Sequence, residues 1–216
     1  MPNAVDSGAV DALVRAVGPM LDRGGRRAGA RNLLGEVPEV RALAGSAGVY
    51  EVVKAVLGAG AFAVRGLLFD KTPGANWKVP WHQDLTIAVR GRREVAGFGP
   101  WSEKEGVAHV QPPAEVLARM VTVRVHLDEC NEHNGPLRVI PGSHRSGRLS
   151  ADEIALRRAE VAEVVCPVGR GGIVVFRPLL LHASSSAVRP AHRRVVHLEF
   201  AADELPGGLE WYDRVG

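Results

Sequence analysis

Apolar residues recur at helical spacing early in the chain and at strand spacing later, and the period changes close to residue 60. Val10, Leu13, Val14, Val17 and Leu21 form one stripe of a 3.6-residue repeat behind Asp6 and Ser7, which predicts a helix capped by one of those two side chains. A Gly/Arg break follows, and its short basic patch Gly24-Gly25-Arg26-Arg27 suits a solvated loop. Ser46 then opens a second helical pattern, Val49, Val52, Val53, Val56 and Leu57, closed by Gly58.

Beyond residue 60 the texture is that of strands. Ala61 to Phe69 is a β-like run, and Leu85 to Val89 is another. Val121, Val123, Val125 and Leu127 alternate with Thr122, Arg124, His126 and Asp128, the period-2 pattern of a half-buried strand. Leu137 to Ile140 runs into the turn Pro141-Gly142-Ser143-His144. Ser150-Ala151-Asp152-Glu153 fits a capping box for one short helix. Further strands are expected at Glu163 to Val165, Gly172 to Phe176, and Val195 to Ala201, with Pro178 to Leu181 as an apolar strand running into His182. Many short strands behind a helical front point to a mainly β fold, a sandwich or jelly roll with a helical buttress. The chain, 1–216, reads as one domain: 1–58 mostly helical, 60–201 the β core.

Composition narrows the partners. Of 216 residues, 46% are hydrophobic and 24% charged, which excludes a disordered or fibrous chain. Two cysteines, Cys130 and Cys166, cannot build a disulfide scaffold. The start, Met1-Pro2-Asn3-Ala4-Val5-Asp6, lacks the features of a signal peptide, and the longest apolar stretch, Val52 to Phe69, is broken by Lys54 and Arg65. A cytoplasmic protein with no membrane span is expected, as a monomer or homodimer. The net charge of +3 is spread over scattered arginines, so no nucleic-acid partner is expected.

The histidines raise a metal question. In Trp77-Lys78-Val79-Pro80-Trp81-His82-Gln83-Asp84, His82 and Asp84 stand at i and i+2, so on extended backbone both project to one side while Gln83 points away. An imidazole and a carboxylate are two thirds of the two-His-one-carboxylate triad that holds non-heme iron with positions left open. Val125-His126-Leu127-Asp128 is a second His-x-Asp, and periodicity cannot choose between the two. His182, followed by Ala183-Ser184-Ser185-Ser186, is the candidate third ligand. Arg193 lies eleven residues further on (193 minus 182), where a guanidinium offers a bidentate fork for the free carboxylate of a metal-chelating keto acid. Arg194 is the neighbouring alternative, and only one of the pair can face the site.

Three segments carry a resemblance to a known family: Trp81-His82-Gln83-Asp84-Leu85, Gly135-Pro136-Leu137-Arg138-Val139-Ile140-Pro141-Gly142-Ser143-His144, and His182 through Arg193-Arg194 to Phe200. In that order, over residues 60 to 201, the chain resembles the phytanoyl-CoA hydroxylase-like (PhyH) Fe(II)/2-oxoglutarate-dependent dioxygenases. The resemblance implies a double-stranded β-helix (jelly roll, cupin-like) core, with Fe(II), 2-oxoglutarate and O2 as cofactor and cosubstrates. It places the metal triad on His82, Asp84 and His182, and the 2-oxoglutarate-binding arginine on Arg193. Ser184 is a further candidate contact to 2-oxoglutarate, and His144 matches the family's turn, not a ligand. Relatives that halogenate carry a small residue in place of the carboxylate, so Asp84 implies oxygenation.

The expected activity is hydroxylation of a small molecule with release of succinate and CO2. The alternatives are a cupin-like metalloenzyme that uses no keto acid, and a non-catalytic metal/2-oxoglutarate sensor. The substrate is not encoded in these motifs. Trp77, Trp81, Phe98 and Trp101 flank the metal segment and suit pocket walls, while Lys71, Lys78, Arg90, Arg92, Arg93 and Lys104 suit loop solvation. The stretch from Arg90 to Pro113 is expected to form a lid.

Overall fold

The structure, a computed structural model, describes residues 1–22 and 28–216, so the Gly24-Gly25-Arg26-Arg27 patch lies outside the described residues. The front of the chain is helical: α1 (Ser7–Asp22), α2 (Leu33–Glu36), α3 (Pro38–Ala44) and α4 (Ala47–Leu57), with the two-residue strand β1 (Gly29–Ala30) between the first two. Asp6 caps α1, its Oδ1 accepting the Ala9 N–H at 2.9 Å. Ser46 precedes α4 in extended conformation, but its hydroxyl donates to the Leu43 carbonyl and caps nothing. Gly58, at φ 91°, ends α4 in a conformation that an L side chain rarely adopts.

The rest is antiparallel sheet. The strands are β2 (Phe62–Lys71), β3 (Val79–His82), β4 (Ile87–Val89), β5 (Trp101–Lys104), β6 (Val107–Val110), β7 (Val121–His126), β8 (Leu137–Val139), β9 (Val164–Cys166), β10 (Ile173–Phe176), β11 (His182–Ser184) and β12 (Arg193–Ala201). Two helices interrupt them, α5 (Ala114–Ala118) and α6 (Ala151–Glu160), and α6 opens with the expected Ser150/Glu153 capping box. A five-stranded sheet, β1-β2-β12-β7-β10, faces a four-stranded one, β3-β11-β8-β9. Phe176 on β10 meets His182 on β11 at 5.1 Å between ring centroids, and Lys71 on β2 reaches Ser184 on β11. This is the jelly-roll core.

The larger sheet is buried on both sides, which corrects the half-buried reading of 121–128. Val121, Val123 and Val125 of β7 and Val196, Leu198 and Phe200 of β12 pack with Val10, Leu13, Val17, Leu33, Val40, Val49 and Val53 of the helices. At about 1.5–3 kcal/mol per buried aliphatic or Phe side chain, this face anchors the helical layer. The alternate residues, Thr122, Arg124 and His126, face the smaller sheet, so every residue of β7 is buried.

One further expectation is corrected. Pro178 to Leu181 forms a turn ahead of β11 and is not a strand. The 90–113 segment carries two short strands, β5 and β6, which with β4 form a three-stranded unit whose Phe98 and Val110 pack with Phe62, Leu117 and Trp211. Among the described residues, no helix is long and apolar enough to cross a membrane.

Candidate functional site

β3 and β11 run antiparallel with His82 directly opposite His182, their ring centroids 4.2 Å apart. Asp84 follows β3, held by its N–H on the Pro178 carbonyl at 2.9 Å. Between them Gln83 turns the other way, as the alternation requires. Its amide donates to the carbonyls of Gly147 and Leu179 at 2.8 and 2.7 Å and accepts from the Leu149 N–H at 2.8 Å. Gln83 thus fixes the backbone on which the His82/Asp84 pair is mounted.

His82 and His182 are oriented alike. Each donates its Nδ1–H to the carbonyl two residues before it, Pro80 and Leu180, both at 2.8 Å. That bond leaves each Nε2 with a lone pair. The two Nε2 atoms stand 3.7 and 3.6 Å from the Asp84 oxygens, and the three groups can present ligand atoms all within 4.8 Å of one another.

The electrostatics agree with that orientation. Burial lowers the His182 imidazole to about 4 against the opposing pull of Asp84. Burial on its own would raise the Asp84 carboxyl, but His182, His197, His82 and Arg65 around it bring it down to about 2. At neutral pH the site therefore offers neutral His182 and an ionised carboxylate, a protonation state that suits a divalent cation. Asp84 Oδ2 is buried without a hydrogen-bond partner, and two imidazoles with one carboxylate are the donor set of a non-heme iron site. The residues fit a metal ion.

A cavity of about 240 Å³ opens beside these three residues, walled by Phe69, Trp77, Val79, Leu137, Arg124 and Arg193, with Ser184 also on its lining. Arg193 is 2% exposed and donates to the Gly135 carbonyl at 2.8 Å, while its Nε is buried and unpartnered. Lys71, fully buried, donates to Ser184 Oγ at 3.0 Å and to the Ser185 carbonyl. Burial first, then Arg193 and Arg124, lowers its ammonium to about 7. Burial and Arg193 likewise bring Arg124 to about 10, and its Nε is also unpartnered. Among the described residues, none of these three cations has a carboxylate within ion-pair distance. A buried, uncompensated cationic wall is a site for an anion.

The remaining candidates lie elsewhere. Asp128 is held by Arg194, through Nε at 2.8 Å, Nη2 at 2.6 Å and the backbone N–H at 2.8 Å. That pairing takes Arg194 away from the cavity and ties up the second His-x-Asp. His126 is buried with neither ring nitrogen partnered, its imidazole pushed down to about 3 by burial, Arg124 and Arg193. His144 sits in a 3-10 turn (Ser143–Ser146), apart from the His82/Asp84/His182 cluster. Of the four aromatics flanking the metal segment, Trp77 lines the cavity, but Trp81, Phe98 and Trp101 do not. Trp81 is flanked by Arg138 and Arg158, each 5.4 Å from its ring.

Lys71 corrects the loop-solvation reading. It ends β2 on the same side as Leu67 and Phe69, a placement that i, i+2 counting from Phe69 would have found. Arg124 and His197, which also line the cavity, carry no local signal beyond strand alternation.

Comparison with known proteins places the chain in a family. The sequence profile described as phytanoyl-CoA dioxygenase (PhyH) matches residues 15–195. An L-proline trans-4-hydroxylase from Streptomyces griseoviridis is 32% identical over 151 residues, covering 58% of this chain and 47% of that protein. An ectoine dioxygenase from Sphingopyxis alaskensis is 27% identical over 199 residues, covering 80% and 58%. The chain thus spans about half the length of these relatives. Among solved structures, the ectoine enzyme EctD of S. alaskensis with 2-oxoglutarate and 5-hydroxyectoine superimposes with a TM-score of 0.71 at 20% identity, covering 94% of this chain and 71% of that one. The α-ketoglutarate-dependent carbocyclase SnoK from nogalamycin biosynthesis gives 0.71 at 16% identity, covering 93% and 77%. At these identities the structures speak for a shared fold.

Proposed function

The chain belongs to the phytanoyl-CoA dioxygenase (PhyH) family, and on that premise we propose that it is an Fe(II)/2-oxoglutarate-dependent dioxygenase that hydroxylates a small-molecule substrate with release of succinate and CO2. The observation that carries this reading is the union, in one cavity, of the His82/Asp84/His182 donor set with a buried cationic wall that lacks an anion. Fe(II) would be held by His82 Nε2, one Asp84 oxygen and His182 Nε2. Bound there, iron supplies the oxygen-activating chemistry that couples decarboxylation of the keto acid to hydroxylation of a C–H bond.

The protein's own part is binding, orientation and exclusion of water. Arg193 offers its guanidinium to the distal carboxylate of 2-oxoglutarate, and Lys71 on the neighbouring strand and Ser184 on the facing sheet complete the clamp. Three ligands leave coordination positions for the keto acid and O2. Phe69, Phe176, Val79 and Leu137 supply apolar surface around the reacting groups and keep bulk water out. With a carboxylate at Asp84, the position a halide would need is taken.

Succinate release tests the reading. Purified protein with Fe(II), ascorbate and 2-oxoglutarate is screened against small molecules, beginning with cyclic amino acids because the relatives are L-proline and ectoine enzymes. Succinate formed in step with hydroxylated product is the expected result. A metalloenzyme without a keto acid would leave 2-oxoglutarate unconsumed, and a sensor would bind it without forming succinate; either outcome overturns the proposal.

A further inference from the structure

Next to the candidate metal triad lies a second set of titratable groups, on the inner side of β2 and β12, that the proposed chemistry does not use. Arg65, His197 and Glu199 are 8%, 3% and 2% exposed. Arg65 stands across the strand pair from Glu199, and its guanidinium is ion-paired with that carboxylate. The same guanidinium donates to the Thr86 carbonyl at 3.0 Å, two residues beyond Asp84. Glu199 Oε1 in turn lies 3.3 Å from His197 Nε2, and that nitrogen lies 4.0 Å from Asp84 Oδ2. The chain of contacts closes on itself: Asp84, the backbone to Thr86, Arg65, Glu199, His197, and back to Asp84.

The geometry defines what His197 can do. An ionised Glu199 can only accept, so Nε2 carries the ring hydrogen and directs it to Glu199 Oε1, with Asp84 Oδ2 beyond hydrogen-bond distance at 4.0 Å. Phe69 and Phe176 stand edge-on to the ring at 5.7 and 6.3 Å between centroids. By residue type and spacing, Asp84, His197 and Glu199 could themselves chelate an ion. Glu199, however, is already neutralised by Arg65, so the set serves better as a support for Asp84 than as a second metal site.

We propose that His197 is a positioning residue for the metal centre: braced by Glu199 and Arg65, it holds its Nε2 edge 4.0 Å from Asp84 Oδ2 and so limits how that carboxylate can turn. The proposal rests on the metal reading of His82, Asp84 and His182. Groups that orient a ligand in this way are worth 10- to 100-fold in metal affinity.

Co(II) titration of the metal-free full chain, followed by its visible absorption, tests this without turnover. His197→Leu is expected to raise the Co(II) dissociation constant by about 10- to 100-fold. His197→Gln, which keeps an N–H donor near the Nε2 position, should bind Co(II) like the unsubstituted protein. If the Leu variant does not fold, His197→Met is read in its place. An apolar variant that binds Co(II) normally overturns the proposal, as does a Gln variant as weak as the apolar one, which would mark the ring as packing alone. Failure of the unsubstituted protein to bind Co(II) overturns the metal reading itself.

Discussion

Lys71 and Arg193 stand directly opposite one another across β2 and β12, and both are sealed from solvent. Like charges in register destabilise a sheet, and burial without a counter-charge makes them costlier still. The arrangement makes physical sense as preorganisation for an anion, with the penalty relieved when the ligand arrives.

Removing one of the two charges separates stability from binding. Lys71→Met should leave the unliganded protein at least as stable as before, because it removes a buried cation facing another. The affinity for 2-oxoglutarate should fall roughly 10- to 100-fold, the worth of a charge-assisted hydrogen bond of about 1.5–3 kcal/mol. Thermal melts with and without 2-oxoglutarate report both quantities. A variant that melts lower but still gains full stabilisation from the ligand would contradict this.

Proton uptake follows from the same residue. In the unliganded site the Lys71 ammonium is lowered from 10.5 to about 7, by burial first and then by Arg193 and Arg124. A dianion beside it raises that value again, so 2-oxoglutarate binding at pH 8 should draw a proton from solution, and at pH 6 it should not. Because the folded value lies below the unfolded one, the stability tied to this group is fully present only above about 10.5 and is lost as pH falls through about 7. Calorimetry of 2-oxoglutarate binding in buffers of different ionisation enthalpy measures the uptake, and Lys71→Met should abolish it.

The two His-x-Asp pairs should part cleanly under substitution. Asp84→Asn removes the anionic ligand, and Co(II) binding should be lost while the fold survives. Asp128→Asn breaks the pairing with Arg194, in which both side chains are 19% exposed, and should cost about 1–2 kcal/mol, or about 2–8 °C in Tm. Its Co(II) affinity should stay unchanged. The reverse pattern would move the metal site to His126 and Asp128.

Gly135 joins the fold to the clamp. It sits at φ 73°, a Cβ there would lie 2.4 Å from the Ser185 carbonyl and 3.1 Å from Lys71 Nζ, and its own carbonyl accepts from Arg193. Gly135→Ala should destabilise the protein by more than about 1 kcal/mol and weaken 2-oxoglutarate binding. Unchanged affinity would show that the clamp does not depend on this turn.

Much of the fold is legible in local pattern. The stripe Val10, Leu13 and Val17 marks α1, alternation marks β7, and Ser150 with Glu153 marks the start of α6. Short elements are not legible: β1, α2 and α3 are too brief to show a period, and tertiary contacts hold them in place. The two short strands in the 90–113 segment escape notice because Gly and Pro residues surround them and the packing of Phe98 and Val110 depends on Phe62 and Trp211, far away in sequence.

The sequence by itself determines which side chains share a face: His82 with Asp84, Arg193 with His197 and Glu199, Lys71 with Phe69. Alternation follows from the backbone of an extended chain, whatever surrounds it. Only the tertiary structure decides what each face meets. The register of β12 against β2 sets Lys71 opposite Arg193 and Arg65 opposite Glu199, and the packing of two sheets brings Asp84 within reach of His197. Those relations join residues more than a hundred positions apart, and they are set by the burial of the whole core, which no local window contains.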